Sequence, residues 1–209
     1  MIRILIADDH SVVRKGLRQI LLEGFPNAII EEVPDAEEMI RKIMQAEWSV
    51  VISDLSMPGR SGLEALQQIK QINSKLPVLI LSIHPEEQYA LRVLKAGASG
   101  YLSKDMAPDE LVNAVHRVML GKKYITASIA EKLASQLDHD SIKSLHETLS
   151  DREFSVLKML ATGKSVSEIA ESLFLSVTTV STYRSRILAK MNLKSNADLT
   201  LYSIEHKLI

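Results

Sequence analysis

The chain has 209 residues, 46% of them hydrophobic, a formal net charge of −1 and no cysteine. That length accommodates one or two domains with real cores, and the missing cysteine excludes a disulfide framework and thiol chemistry. The opening Met1-Ile2-Arg3-Ile4-Leu5-Ile6 meets Asp8 and Asp9 too soon for a secretory leader, and no stretch reaches membrane-spanning length, so a cytoplasmic location without membrane association is expected.

Four short apolar runs in the first half end in chemically active side chains. Ile4-Leu5-Ile6-Ala7 leads to Asp8 and Asp9, and Val50-Val51-Ile52-Ser53 leads to Asp54. Val78-Leu79-Ile80-Leu81 leads to Ser82, and Gly100-Tyr101-Leu102-Ser103 leads to Lys104. Such runs read as buried strands of a parallel sheet. A further strand is expected near Ile29 to Val33, flanked by Pro26 and Pro34. Helical spacing runs through Ser11 to Leu22, Ala36 to Met44, Ser61 to Ile72, Glu86 to Ala96 and Pro108 to Leu120. Five βα units predict an α/β, doubly wound, five-stranded parallel sheet covered by helices on both faces, over residues 1–120. In such sheets ligands bind outside the carboxyl ends of the strands, so the acids, the hydroxyl and the lysine are expected to converge.

After Gly121-Lys122-Lys123-Tyr124 the strand pattern stops. Residues 121–147 read as a linker, with a short helix over Ser128 to Leu137 and the polar stretch Asp138-His139-Asp140-Ser141. Residues 148–209 form a second, smaller, all-α domain of four helices. Three starts carry a capping hydroxyl followed three residues later by an acid: Ser150 with Glu153, Ser165 with Glu168 and Ser195 with Asp198. A fourth start, Ser176, has Thr179 at that third place. The helix over Ser165 to Leu173, the connection Phe174-Leu175-Ser176 and the longer helix over Val177 to Met191 have helix-turn-helix spacing, which an αα corner of any small helical domain shares.

Charge divides along the same line. Residues 1–120 hold 13 basic and 16 acidic side chains; residues 148–209 hold 8 and 6. From Val177 to Ala197 there are four basic residues, Arg184, Arg186, Lys190 and Lys194, and no acid, which suits a polyanion and equally a solvated helix face. On a helical wheel Val177, Val180, Ile187, Leu188 and Met191 form one stripe, while Thr178, Ser181, Thr182, Ser185 and Arg186 lie opposite. Short hydroxylated side chains without acid can approach base edges and phosphates. Arg184 falls inside the apolar stripe, so its guanidinium is expected to reach an acid or a phosphate over a packed stem.

At the strand ends, clustered carboxylates repel one another, and a hard cation such as Mg²⁺ relieves that repulsion. Asp54, alone before a flexible loop, is the expected nucleophile toward an activated phosphoryl group, with Asp8 and Asp9 holding Mg²⁺. Lys104 supplies a compact positive charge and Ser82 a hydroxyl for the phosphoryl oxygens. Singly, an Asp pair or a lysine after a strand is ordinary loop chemistry; their conjunction in one order is not. A Mg²⁺ phosphohydrolase is the competing reading, but no glycine-rich cradle and no second general acid stands beside Asp54, so sustained turnover is not expected.

The segments Asp8-Asp9-His10, Asp54-Leu55-Ser56-Met57-Pro58-Gly59, Ser82-Ile83-His84 and Gly100-Tyr101-Leu102-Ser103-Lys104 closely resemble the receiver domain of bacterial two-component response regulators. Leu149-Ser150-Asp151-Arg152-Glu153, Glu168-Ile169-Ala170 and the stretch from Thr179-Val180 to Lys190-Met191 resemble a LuxR-type helix-turn-helix; together they match the NarL/FixJ family. The resemblance implies a sensor histidine kinase that phosphorylates Asp54, with Asp9, Asp54 and the backbone carbonyl of Ser56 as direct Mg²⁺ ligands and Asp8 acting through water. It implies that Ser82 then moves toward the phosphoryl group, that Tyr101 rotates inward, and that the protein dimerises on double-stranded DNA. No activity is implied beyond Mg²⁺-dependent self-phosphorylation and slow dephosphorylation. The DNA face is expected to comprise Thr178, Thr179, Ser181, Thr182, Ser185, Arg186 and Lys190, with 181, 182 and 185 as base-reading positions. Many relatives carry lysine at 181 or 185, where serine stands here, and Tyr183 and Arg186 replace a frequent histidine and asparagine. More reliance on phosphate contacts and DNA shape is therefore expected. Asp105 stands where many receivers have proline, so a cis Lys104-Asp105 bond would cost roughly 3 kcal/mol.

Overall fold

Alternation of strand and helix is carried through the first half of the chain. In the computed structural model, which describes residues 1–106, 108–138 and 144–209, the order is β1 (Arg3–Ala7), α1 (Ser11–Gly24), β2 (Ile29–Val33), α2 (Ala36–Gln45), β3 (Val50–Asp54), α3 (Gly62–Ile72), β4 (Val78–Ser82), α4 (Glu86–Lys95), β5 (Gly100–Ser103) and α5 (Pro108–Met119). Then follow α6 (Ala127–Asp138), a 3₁₀ turn (Leu145–Thr148), α7 (Asp151–Ala161), α8 (Val166–Ser172), α9 (Val177–Met191) and α10 (Asn196–Glu205). The chain divides into two units, Met1–His139 and Asp140–Ile209. Of the predicted linker stretch, His139 to Ser141 lie outside the described residues.

In the first unit all five strands are parallel, in the order β2-β1-β3-β4-β5. The order reverses beside β1, which pairs with both β2 and β3, and this switch point opens a crevice at the carboxyl ends. Register aligns those ends: Ala7 lies opposite Ser53, Asp54 opposite Leu81, and Ser82 opposite Ser103. Since side chains alternate faces, Ile4, Ile6, Val50, Ile52, Leu79 and Leu81 pack on one side against Leu17 and Leu21 of α1 and Leu111, Ala114, Val115 and Val118 of α5. The β3–α3 loop folds back tightly: Gly62 donates its N–H to the Leu55 carbonyl at 2.9 Å, and a Cβ there would sit 2.0 Å from the Asp54 carbonyl oxygen. Only glycine fits that return, which holds Asp54 at the rim.

Pairing does not stop at β5. Tyr124 makes one parallel bridge to Gly100, its N–H donating to the Ser99 carbonyl at 2.8 Å, and Tyr124 Oη donates to Glu110 at 2.8 Å. A lone bridge has no strand-length pattern, so the sequence gives no sign of it. The predicted linker helix is present as α6. No peptide bond among the described residues is cis, so the Lys104-Asp105 bond is trans.

The second unit is helical. Ser150, Ser165 and Ser195 each form a reciprocal capping box with the acid three residues on, and Ser176 Oγ accepts from the Thr179 N–H. Phe154, Val156, Leu157, Leu160, Ile169, Val180, Ile187, Met191 and Leu199 are buried. Two members of the predicted α9 stripe differ: Val177, at the very start of the helix, is 51% exposed, and Leu188 is half-buried. Among the described residues no helix is long and apolar enough to cross a membrane.

Candidate functional site

The strand ends bring Asp8, Asp54 and Lys104 into direct contact. Asp8 follows β1 and is 1% exposed; Asp54 closes β3 and is 4% exposed. Lys104 follows β5 and reaches back, its Nζ 2.8 Å from Asp54 Oδ2 and 2.7 Å from Asp8 Oδ2. The Asp54 contact has hydrogen-bond geometry, whereas the Asp8 contact is an ion pair only. Asp9 is half-buried, and its Oδ1 stands 2.8 Å from His10 Nδ1, again without hydrogen-bond geometry. The loop is fixed from two sides: His10 donates its N–H to Asp8 Oδ1 at 2.8 Å, and Arg14 Nη1 donates to the Asp8 carbonyl at 2.6 Å. Beyond the place of His10 in the Asp8-Asp9-His10 segment, the sequence gives neither His10 nor Arg14 a part at the site, since they stand two and six residues past Asp8 with no pattern of their own.

Buried oxygens without a hydrogen-bond donor ask for a cation. Oxygens of Asp8, Asp9 and Asp54, with a nitrogen of His10, lie within 4.8 Å of one another. Asp8 Oδ2 and Asp9 Oδ1 are both buried and lack a hydrogen bond. A carboxylate-rich set of this kind suits a hard ion such as Mg²⁺ rather than a soft one. Burial pushes the Asp54 carboxyl above the usual aspartate range, with Lys104 pulling part of the way back. For Lys104, burial disfavours the ammonium, but the Asp54 and Asp8 carboxylates more than offset this and raise it. The pair is a lysine held firmly charged beside an acid whose own charge is costly.

Ser82 and Tyr101 are arranged around the same edge. Ser82 is fully buried, its Oγ accepting the His84 N–H at 3.1 Å. Tyr101 already lies inward, 2% exposed, with its hydroxyl donating to the His84 carbonyl at 2.7 Å. Burial pushes its phenol up to about 12, so it stays a donor. Ser56 Oγ and His84 Nε2 meet at 2.9 Å across the rim, the His84 ring stacks on Tyr89 at 4.8 Å, and the Ser56 N–H donates to Asp54 Oδ1 at 3.2 Å.

In the second unit Thr178, Ser181, Thr182, Ser185 and Arg186 are all exposed on one face of α9. Thr182 and Ser185 donate back to the carbonyls of Thr178 and Ser181 at 3.0 and 3.1 Å, leaving their oxygen lone pairs outward. Thr179 belongs to the helix cap, its Oγ1 2.7 Å from Ser176 Oγ. Lys190, though its side chain is 44% exposed, is paired within the domain: its Nζ lies 2.6 Å from Glu153 Oε2, a carboxylate whose side chain is 4% exposed. Arg184 makes no ion pair with an acid among the described residues; its Nε donates to the Asn196 Oδ1 at the start of α10, 2.7 Å away. A neutral amide takes the place expected for a charge because α10 begins there.

The chain is matched by the family model of the response regulator receiver domain over residues 4–116, and by that of the bacterial regulatory proteins, luxR family, over residues 147–203. It is 37% identical over 209 residues to the response regulator UvrY of Escherichia coli (strain K12), covering 100% of this chain and 96% of that one. Identity is also 37%, over 214 residues and 99% of each chain, with the oxygen regulatory protein NreC of Staphylococcus carnosus. The structure of RcsB from Salmonella enterica serovar Typhimurium bound to promoter rprA in the presence of phosphomimetic BeF3- is 27% identical, with a TM-score of 0.63 over 97% of this chain and 98% of that one. A two-component response regulator RcsB-DNA complex gives 28% identity and a TM-score of 0.58 over 96% of each chain.

Proposed function

The chain belongs to the NarL/FixJ family of two-component response regulators, a receiver domain joined to a LuxR-type DNA-binding domain, and from that membership we propose that phosphorylation of Asp54 by a sensor histidine kinase gates its binding to promoter DNA. As a response regulator with this output domain it is a DNA-binding transcription regulator rather than a classical enzyme. The observation that carries the gating is the Lys104 ammonium set between Asp54 and Asp8 at the mouth of the switch point.

An Asp54 oxygen forms the new P–O bond as the P–N bond to the donor imidazole breaks, the electron pair leaving with that ring. Asp9, Asp54 and the Ser56 carbonyl would hold Mg²⁺, with Asp8 assisting. The ion, when bound, offsets charge on the transferring phosphoryl oxygens. Lys104 keeps Asp8 as a partner while its Asp54 contact is exchanged for a phosphoryl oxygen. Ser82 turns its hydroxyl to that oxygen and gives up the His84 N–H, which couples the chemistry to the β4–α4 loop that Tyr101 also holds. Two conformations of that loop are then biased by a local charge change. The output follows through a homodimer in which α9 lies in the major groove, Ser181, Thr182 and Ser185 facing base edges and Thr178 and Arg186 facing the backbone. We place the functional boundaries at residues 1–120 and 148–209, in a cytoplasmic protein.

Acetyl phosphate tests the first step. Intact-mass measurement is expected to show one added phosphoryl group only when Mg²⁺ is present, and none on Asp54→Asn. Equal labelling of Asp54→Asn would remove Asp54 from the role of acceptor.

A further inference from the structure

At the pole of the first unit opposite the acid cluster, where β4 and β5 begin, a cavity of about 470 Å³ is lined by Lys70, Lys75, Lys95, Lys122 and Lys123 and by no acid. The five come from four segments: the last turn of α3, the loop before β4, the end of α4 and the turn after α5. Two are built into the wall. Lys70 Nζ donates to the Leu76 carbonyl at 2.6 Å and to that of Ser74 at 3.4 Å. Its stem passes Gly97, where φ is +103° and a Cβ would come within 3.1 Å of Lys70 Cγ, so the glycine both makes the left-handed turn and clears the path. Lys123 Nζ donates to the Ala98 carbonyl. None of the five has an ion pair with a carboxylate among the described residues.

The ends of α3, α4 and α5 converge here, and their carbonyls answer part of this charge. Each helix terminus carries about half a negative charge, so three offset roughly 1.5 of the five positive charges. The rest has no carboxylate partner among the described residues; burial, and after it the neighbouring Lys123, holds Lys70 below the usual lysine range, and burial alone lowers Lys123. A net excess of roughly three to four charges matches a triphosphate in magnitude. The volume falls within the span of about 300–1,000 Å³ common to small-molecule sites, and lysine ammonium groups suit phosphate as point charges. We propose that this cavity binds a small polyanion bearing at least two phosphate groups, at a site separate from Asp54.

Calorimetry on the full chain in EDTA, at about 50 mM salt, tests this with inorganic triphosphate as the probe. One-to-one binding is expected, weakened by at least about tenfold in the double variant Lys95→Gln/Lys122→Gln. Both side chains are exposed, so the fold should persist, and thermal unfolding checks that it does. Binding is expected to persist in Arg186→Ala and Asp54→Asn. ATP provides a second arm: equal affinity means that the phosphate chain alone is read, and tighter binding that a base is seated too. Absence of binding, or binding that the double variant leaves intact, overturns the proposal and leaves the lysines as partners of helix-end carbonyls. Displacement of triphosphate by a short DNA duplex on Arg186→Ala protein overturns it too, by making the pole a nucleic-acid surface.

Discussion

Asp54 sits where its own charge is expensive. It is 4% exposed, burial raises its carboxyl, and its helpful neighbour Lys104 is shared with Asp8. Replacement by asparagine removes a desolvated negative charge while Lys104 keeps Asp8. Without divalent cations, Asp54→Asn is therefore expected to be more stable than the wild type by about 1 kcal/mol in urea unfolding at neutral pH. Adding Mg²⁺ should narrow the gap, because the wild type binds the ion better and gains more by mass action. A less stable variant in EDTA would mean that the Asp54–Lys104 bond outweighs the burial cost. Individual residues at this site were legible as types before they were legible as partners. Strand ends announced Asp8, Asp54, Ser82 and Lys104. That one ammonium bridges two acids from strands 46 residues apart in the chain, and that Tyr101 lies inward on the His84 carbonyl, depends on register and rotamer, which no local pattern encodes.

Helix α9 has two jobs that the sequence runs together. Its outer face presents Thr178, Ser181, Thr182, Ser185 and Arg186, while Lys190 ties it to α7 through the buried Glu153. Arg186→Ala should thus weaken DNA binding across sequences and reduce the slope of log affinity against log salt by about one, with stability unchanged. Lys190→Ala should instead cost about 1–2 kcal/mol of stability, since Glu153 would keep only its bonds at the Ser150 cap; an unchanged denaturation midpoint would return Lys190 to the DNA face. The Glu153 carboxyl is disfavoured by burial, but Lys190 and the Ser150 N–H prevail and hold it below the usual glutamate range. A depressed folded-state value means that this stabilisation is complete above the unfolded-state value and is lost as pH falls toward the folded one. The second unit should weaken below about pH 5, and Glu153→Gln should flatten that dependence. Caps were readable because capping is local: a serine and an acid three residues on satisfy one another within a single turn. The Lys190–Glu153 pair was not, because its partners stand 37 residues apart, and neither was the lysine-lined pole, whose five members come from two helix ends, a loop and a turn and are each ordinary alone.

On the scale of the whole chain, the acid cluster lies in the first unit and the acid-free basic helix α9 in the second, so the input and the DNA reader are chemically separate. A switch between them can alter DNA affinity only by the difference in free energy with which DNA binds its two states. Coupling of this kind amounts to about 1–3 kcal/mol, or roughly 5–150-fold. A duplex chosen by selection from random sequence should therefore bind the acetyl-phosphate-treated, Mg²⁺-loaded protein about 5–150-fold more tightly than the untreated protein, with Asp54→Asn locked at the untreated value. The comparison must be made at fixed salt, because with two α9 helices engaged the phosphate contacts alone would shift affinity steeply. If the gain comes through dimerisation, it should be largest on duplexes with two half-sites about one helical turn apart and nearly vanish on a single half-site. A labelled protein that binds both duplexes as the unlabelled one does would leave phosphorylation without an output, and would make α9 a constitutive reader.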